Sequence, residues 1–276
     1  VESENKIEGF TVVGADNWYD IENQTVNYFR QASIEDTIPV RNVRSVGNNY
    51  TVFATETFID EVSQEIGVDP MAFRLNYLNG VGINAGSNTP ASYGGGKRLA
   101  NVLKIASGLA NYGLENLGEY EGLGIAITGA ENRWAPCFLA LVAKVNVDKN
   151  SAAINVQKLT CVLDVGIAIN PDGIRAQVEG SLLWGLSNAL LEKMTLEDGM
   201  VSERNFDSYK WQNITKIPEL EIHIVENGIF PSGVGEPATC VVAPAIGNAI
   251  FNATGVRLRS LPFSREELFE GLDKKA

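Results

Sequence analysis

Apolar residues recur at helical spacing from Thr51 onward. Phe53, Phe58, Ile59, Val62 and Ile66 fall on one side, and Asp60, Glu61 and Glu65 on the other. Gly67 ends that helix. Asp69-Pro70 opens a second one carrying Phe73, Leu75, Tyr77 and Leu78, because proline suits a first helical turn. Residues 79–96 are rich in Gly, Asn and Ser and read as a loop. Lys97 to Tyr112 then forms a third helix on Leu99, Val102, Leu103, Ile105, Ala106 and Leu109, stopped by Gly113.

There the period changes. Gly122 to Gly129, Phe138 to Val147 and Ala153 to Val165 are apolar and partly alternating, with turns at Arg133-Trp-Ala-Pro136 and Asp148-Lys-Asn150 between them. This predicts three antiparallel strands. Asn170-Pro171-Asp172 caps a long helix from Ile174 to about Lys193. A hairpin around Glu197-Asp198-Gly199, a strand from Leu220 to Val225, an apolar helical run from Val241 to Ala253 and a short helix from Arg265 complete the chain. The expected class is α+β, with helices packed on mostly antiparallel sheets. Two segments are expected. Residues 1–120 hold an arginine-rich loop and helices, and residues 121–276 hold the strands, the long helix and a glutamate loop.

Composition narrows the chemistry. With 34 acidic residues against 22 basic ones, the 276-residue chain carries a net charge of −12. Without a basic stripe to release counterions, it excludes a nucleic-acid partner. Cys137, Cys161 and Cys240 are far apart and have no C-x-x-C spacing, so neither a disulfide framework nor a closed zinc or iron–sulfur site is expected within this chain. The single histidine, His223, lies in an alternating segment and reads as a strand-face residue. No apolar run approaches the roughly 20 residues of a membrane span. No signal peptide is visible, and the chain begins at Val1. An N-terminal piece is therefore expected to have been removed or to belong elsewhere. The compartment, cytoplasmic or periplasmic, stays open.

One stretch stands out as candidate chemistry: Ser232-Gly-Val-Gly-Glu-Pro-Ala-Thr-Cys240, leading into the apolar run that follows. Glu236 lies between Gly233 and Gly235, which can take backbone angles closed to other residues, and Pro237, which favours an extended conformation before it. Two readings stand on the local pattern. Glu236 is either a working carboxylate at a buried helix start or part of an ordinary turn and cap. Partial burial there would raise a carboxyl pKa.

Several segments, in the same order, resemble a known family. Gly233-Val-Gly-Glu-Pro237 resembles the catalytic-glutamate loop of the molybdenum hydroxylases, the xanthine dehydrogenase/aldehyde oxidase family. Val162 to Pro171, leading into Arg175-Ala-Gln-Val-Glu-Gly-Ser181, resembles the segment whose helix lies against the pterin cofactor. Arg44-Ser-Val-Gly47, with Phe53 to Glu61 and Asp69 to Arg74, resembles the arginine loop at the metal centre and the helix after it. The phrasing is most similar to the beta subunit of the isoquinoline 1-oxidoreductase branch. The resemblance covers roughly Ile21 to Phe263, and only the C-terminal portion of the subunit such proteins usually have.

This resemblance implies an oxidoreductase that hydroxylates an N-heterocycle or oxidises an aldehyde with water-derived oxygen. Glu236 would be its general base, and Arg44, Gln177, Gly180, Gly233 and Gly235 would lie on its cofactor. No residue of the chain would ligate the metal, whose sulfur ligands come from the pterin. Gln177 would hydrogen-bond the pterin unless it is simply a polar helix-start residue. Arg44 would stabilise charge near the metal unless it makes a surface ion pair. Asn48 and Asn49 are candidate substrate contacts, and Trp134 a candidate funnel residue. The implied cofactor is molybdenum–molybdopterin, in the cytosine dinucleotide form in bacteria. The implied partners are the missing N-terminal half as a separate chain and a small subunit with two [2Fe–2S] clusters. A non-catalytic scaffold or assembly subunit of the same family is the alternative.

Overall fold

A computed structural model describes residues 12–15, 17–29, 43–79, 95–114, 116–130 and 136–275. Its centre is a four-stranded sheet of β1 (Glu121–Ala130), β2 (Cys137–Val147), β3 (Ile154–Asp164) and β6 (Glu219–Val225), in that order. The β1/β2 and β2/β3 pairs are antiparallel, as the alternating runs predict. β6 adds in parallel to β3, from Lys158 opposite Glu219 to Asp164 opposite Val225. A parallel pair needs a long crossover, and α4 (Pro171–Leu190) with the small hairpin of β4 (Leu196–Glu197) and β5 (Met200–Val201) supplies it. The class is α+β.

Both faces of this sheet are covered, so every residue of β2 from Cys137 to Ala143 is buried and alternation is lost there. On one face Leu139, Leu141, Cys161 and Leu163 pack with α4 and with α5 (Val242–Thr254). On the other, Phe138, Ala140 and Val142 pack with α3 (Gly95–Leu109). Helix α5 lies so close to β1 that a Cβ at Gly124 would stand 2.1 Å from the Ala249 nitrogen. The long helix begins three residues before its expected start, because Pro171 takes the first turn and Asn170 accepts the Gly173 N–H at 3.0 Å. The last helix, α6, runs over Arg265–Asp273 as expected. Phe10, residues 30–42, Gly94 and the Arg133–Trp134 turn lie outside the described residues.

The first helix, α1 (Asn48–Glu65), presents a different face from the expected one. Phe58 and Ile66 are exposed, whereas Glu56 and Asp60 are buried beside Val52 and Ile59. Glu56 accepts hydrogen bonds from the Tyr19 hydroxyl at 2.8 Å, Arg74 Nε at 3.0 Å and the Ile127 N–H at 3.0 Å. Asp60 pairs with Arg257 at 2.8 Å. Buried charge is tolerated when it is paired and hydrogen-bonded in this way. Arg74, itself wholly buried on α2 (Pro70–Asn76), and Arg257 therefore decide which side of α1 faces inward.

Candidate functional site

Residues 43–47 form a tight turn before α1, closed by the Val46 N–H to the Val43 carbonyl at 2.8 Å. From it Arg44 reaches across to two other segments. Its Nε donates to the Gly235 carbonyl at 2.6 Å, and its Nη2 donates to Gln177 Oε1 at 2.9 Å and the Gln177 carbonyl at 3.2 Å. Partial burial lowers the pKa of this guanidinium from its ordinary value, and the nearby Glu236 carboxylate acts in the opposite direction. Asn49 donates its amide to the Arg44 carbonyl, holding the turn from behind. Asn48 is buried.

Gln177 is exposed on α4, one turn before Ser181. Ser181 donates to the same Gly235 carbonyl at 3.2 Å. Gly180 lies under the arginine: a Cβ there would stand 3.4 Å from Arg44 Nη1. That is ordinary van der Waals contact, so the guanidinium passes directly over Gly180 without excluding a Cβ there, and that contact was not foreseen.

The glutamate loop is anchored at its start by the Ser232 N–H to the Val165 carbonyl at 2.9 Å and Ser232 Oγ to the Pro136 carbonyl at 2.9 Å. Three expectations about it need correction. Neither Gly233 nor Gly235 takes a left-handed φ. Glu236 is not extended, with φ −125° and ψ −38°, because Pro237 at once begins a 3-10 turn over Pro237–Thr239 that feeds α5. The openness at Gly235 is spatial instead: a Cβ there would touch only Gln177 Oε1, at 3.8 Å. The expected burial of Glu236 is absent too, and its side chain is exposed. Ser45 Oγ donates to the Glu236 carbonyl at 2.5 Å, and the Ser45 N–H faces Glu236 Oε1 at 3.4 Å. Among the described residues nothing donates to Oε2.

The structure thus brings Arg44, Gln177, Gly180, Gly235 and Glu236 to one patch, with Gly233 earlier on the same loop. Ser45 and Ser181 join them. Both stand inside the quoted segments, but nothing local marks a serine hydroxyl as aimed at a loop distant in sequence. The three cysteines are buried and free, and no group of three metal-ligating side chains occurs among the described residues.

Residues 85–218 match the family profile of the molybdopterin cofactor-binding domain. The chain is 39% identical over 263 residues, 95% of its length, to a membrane-bound aldehyde dehydrogenase of Gluconacetobacter polyoxogenes named for pyrroloquinoline-quinone. It is 29% identical over 82% of its length to isoquinoline 1-oxidoreductase subunit beta of Brevundimonas diminuta. The chain belongs to the molybdenum hydroxylase family. It spans 34% and 27% of those two relatives. Among solved structures, quinoline 2-oxidoreductase from Pseudomonas putida 86 superposes with a TM-score of 0.69 at 12% identity, over 84% of this chain and 53% of that one. An aldehyde oxidoreductase from Desulfovibrio gigas superposes at 0.63 and 17% identity, over 83% of this chain and 41% of that one. At such identities these two matches show the hydroxylase fold alone.

The patch fits a pterin cofactor. With Gln177 Oε1 occupied by Arg44, the amide NH₂ of Gln177 and the Nη1 of half-buried Arg44 have no acceptor among the described residues, and Gln177 is exposed to a ligand. Gly235 leaves the space beside them unfilled.

Proposed function

We propose that this chain supplies one wall of the active site of a molybdenum-dependent hydroxylase acting on an N-heterocycle or an aldehyde. Glu236 is its general base. When bound, the molybdenum cofactor supplies oxygen transfer and accepts the substrate's electron pair, as cofactors carry such chemistry generally. The chain's own residues position and exchange protons. Gln177 donates its amide to the pterin, and Arg44 ties the Gln177 and Gly235 carbonyls together while placing positive charge beside the site. Gly233 and Gly235 let the loop approach closely. Glu236 takes up the proton at Oε2, the oxygen that Ser45 does not face.

The observation that carries this reading is the convergence of Arg44, Gln177, Gly235 and Glu236, from three separate segments, on one open surface. A glutamate in an ordinary turn and cap would have no reason to sit beside two undirected donors. Because the chain spans only 34% and 27% of these two relatives, the remaining cofactor contacts belong to the rest of a full-length subunit. Electrons would leave through a small [2Fe–2S] subunit, since this chain has no cysteine set for a cluster. The pterin nucleotide would be the cytosine dinucleotide form.

A second reading comes from the quinone in the name of the Gluconacetobacter polyoxogenes relative. Metal and cofactor analysis of the assembled protein separates the two: molybdenum with a pterin supports the first, a quinone without molybdenum the second. Glu236→Gln tests the base directly. We expect turnover to fall by about 10²–10⁴-fold, the usual worth of a general base, with molybdenum content unchanged. Loss of the metal in that variant would make Glu236 structural.

A further inference from the structure

We propose that Ser45 is a positioning residue for Glu236, its hydroxyl gripping the Glu236 main chain so that the carboxylate stays turned towards the cofactor surface. This rests on the reading of Glu236 as the base.

Two consecutive residues of the 43–46 turn are in left-handed conformation, Ser45 at φ 75° and Val46 at φ 47°. With the bond from the Val46 N–H to the Val43 carbonyl, Ser45 takes the third position of the turn, where a positive φ favours glycine. A β-branched residue at positive φ, as at Val46, is rarer still. Such backbone persists only where the surroundings over-determine it, and it gathers at functional sites.

The use made of Ser45 explains the conformation. Its side chain is buried, at 2% exposure, and donates to the Glu236 carbonyl at 2.5 Å. Arg44, the residue before it, grips the Gly235 carbonyl at 2.6 Å. Successive residues of one turn therefore hold successive carbonyls of the glutamate loop. The Thr239 N–H also reaches the Glu236 carbonyl, at 3.0 Å, from within the loop's own 3-10 turn. Ser45 is the contact that ties the loop to another segment at that carbonyl. A glycine would suit the backbone better but has no hydroxyl, so the serine is kept at a cost in conformation for the contact it makes.

Ser45→Gly, made in the assembled, cofactor-loaded enzyme, separates positioning from structure. Relief of the left-handed serine keeps the thermal midpoint level or raises it, a trade between stability and activity. We expect kcat to fall by about tenfold to a hundredfold, the order of a misplaced catalytic group. KM and molybdenum content should hold, and amide exchange across 233–240 should quicken while β2 is unaffected. Wild-type kcat, or a kcat that falls only together with the midpoint, would overturn the proposal. Glu236→Gln measured alongside keeps the two claims apart. If that variant turns over normally the base assignment fails, whereas exchange in Ser45→Gly still reports whether the hydroxyl holds the loop.

Discussion

Arg44 and Ser45 reach across 191 positions of sequence to the carbonyls of Gly235 and Glu236. At the scale of single residues, that contact is what turns separate motifs into a site. The motif residues themselves were legible in the sequence: a carboxylate between glycines and proline, and a glutamine on a capped helix. The reasons for their identities were only partly legible. A guanidinium from elsewhere passes over the glycine at 180, and the backbone at 235 is held by an arginine and a serine from other segments. The cysteines follow the local rule more simply. Burial pushes the thiols of Cys161 and Cys240 up to about 12 from an ordinary 9.0. In the folded state they keep protons that the unfolded chain releases. Their contribution to stability is therefore full below about pH 9 and is lost as pH rises towards 12. The thermal midpoint should decline over that alkaline range, and a thiol reagent at pH 8 should label these cysteines only after denaturation. Rapid labelling of the native protein would contradict it.

At the scale of elements, the helices and the first three strands announce themselves through spacing, and the proline-led cap of α4 places that helix within a few residues. What spacing could not reveal was the inward face of α1. An amphipathic reading assigns Phe58 and Ile66 to the core and Asp60 to water. The fold reverses this for these residues, because Arg74 on α2 and Arg257 beyond α5 bring positive charge to Glu56 and Asp60. Such partners are invisible in any local window. The parallel pairing of β6 with β3 is similarly non-local, since only the crossover through α4 decides it. The ion network ties α1, α2, β1 and α5 together, as Asn248 on α5 accepts from Arg257 at 2.8 Å and donates to the Ile125 carbonyl at 2.9 Å. Arg74→Met should leave the Glu56 carboxylate buried without its cation and cost about 3–5 kcal/mol in denaturant unfolding. A loss below about 1 kcal/mol, the range of an exposed ion pair, would show that the network is not structural.

At the scale of the molecule, the sheet is covered on both faces while the patch built by Arg44, Gln177 and Glu236 stays open. No helix among the described residues is long and apolar enough to cross a membrane. The chain spans 34% of the Gluconacetobacter polyoxogenes relative, and we read the open patch as the wall against which the cofactor and the remainder of a full-length subunit close. Desolvation of the site would then come from the assembly, which accounts for an exposed Glu236 in this chain. The most direct test is a structure of the assembled, cofactor-loaded enzyme. The account predicts the Glu236 carboxylate and the Gln177 amide facing the pterin–molybdenum group across a closed pocket. A cofactor bound elsewhere, with Glu236 turned to bulk solvent, would contradict it.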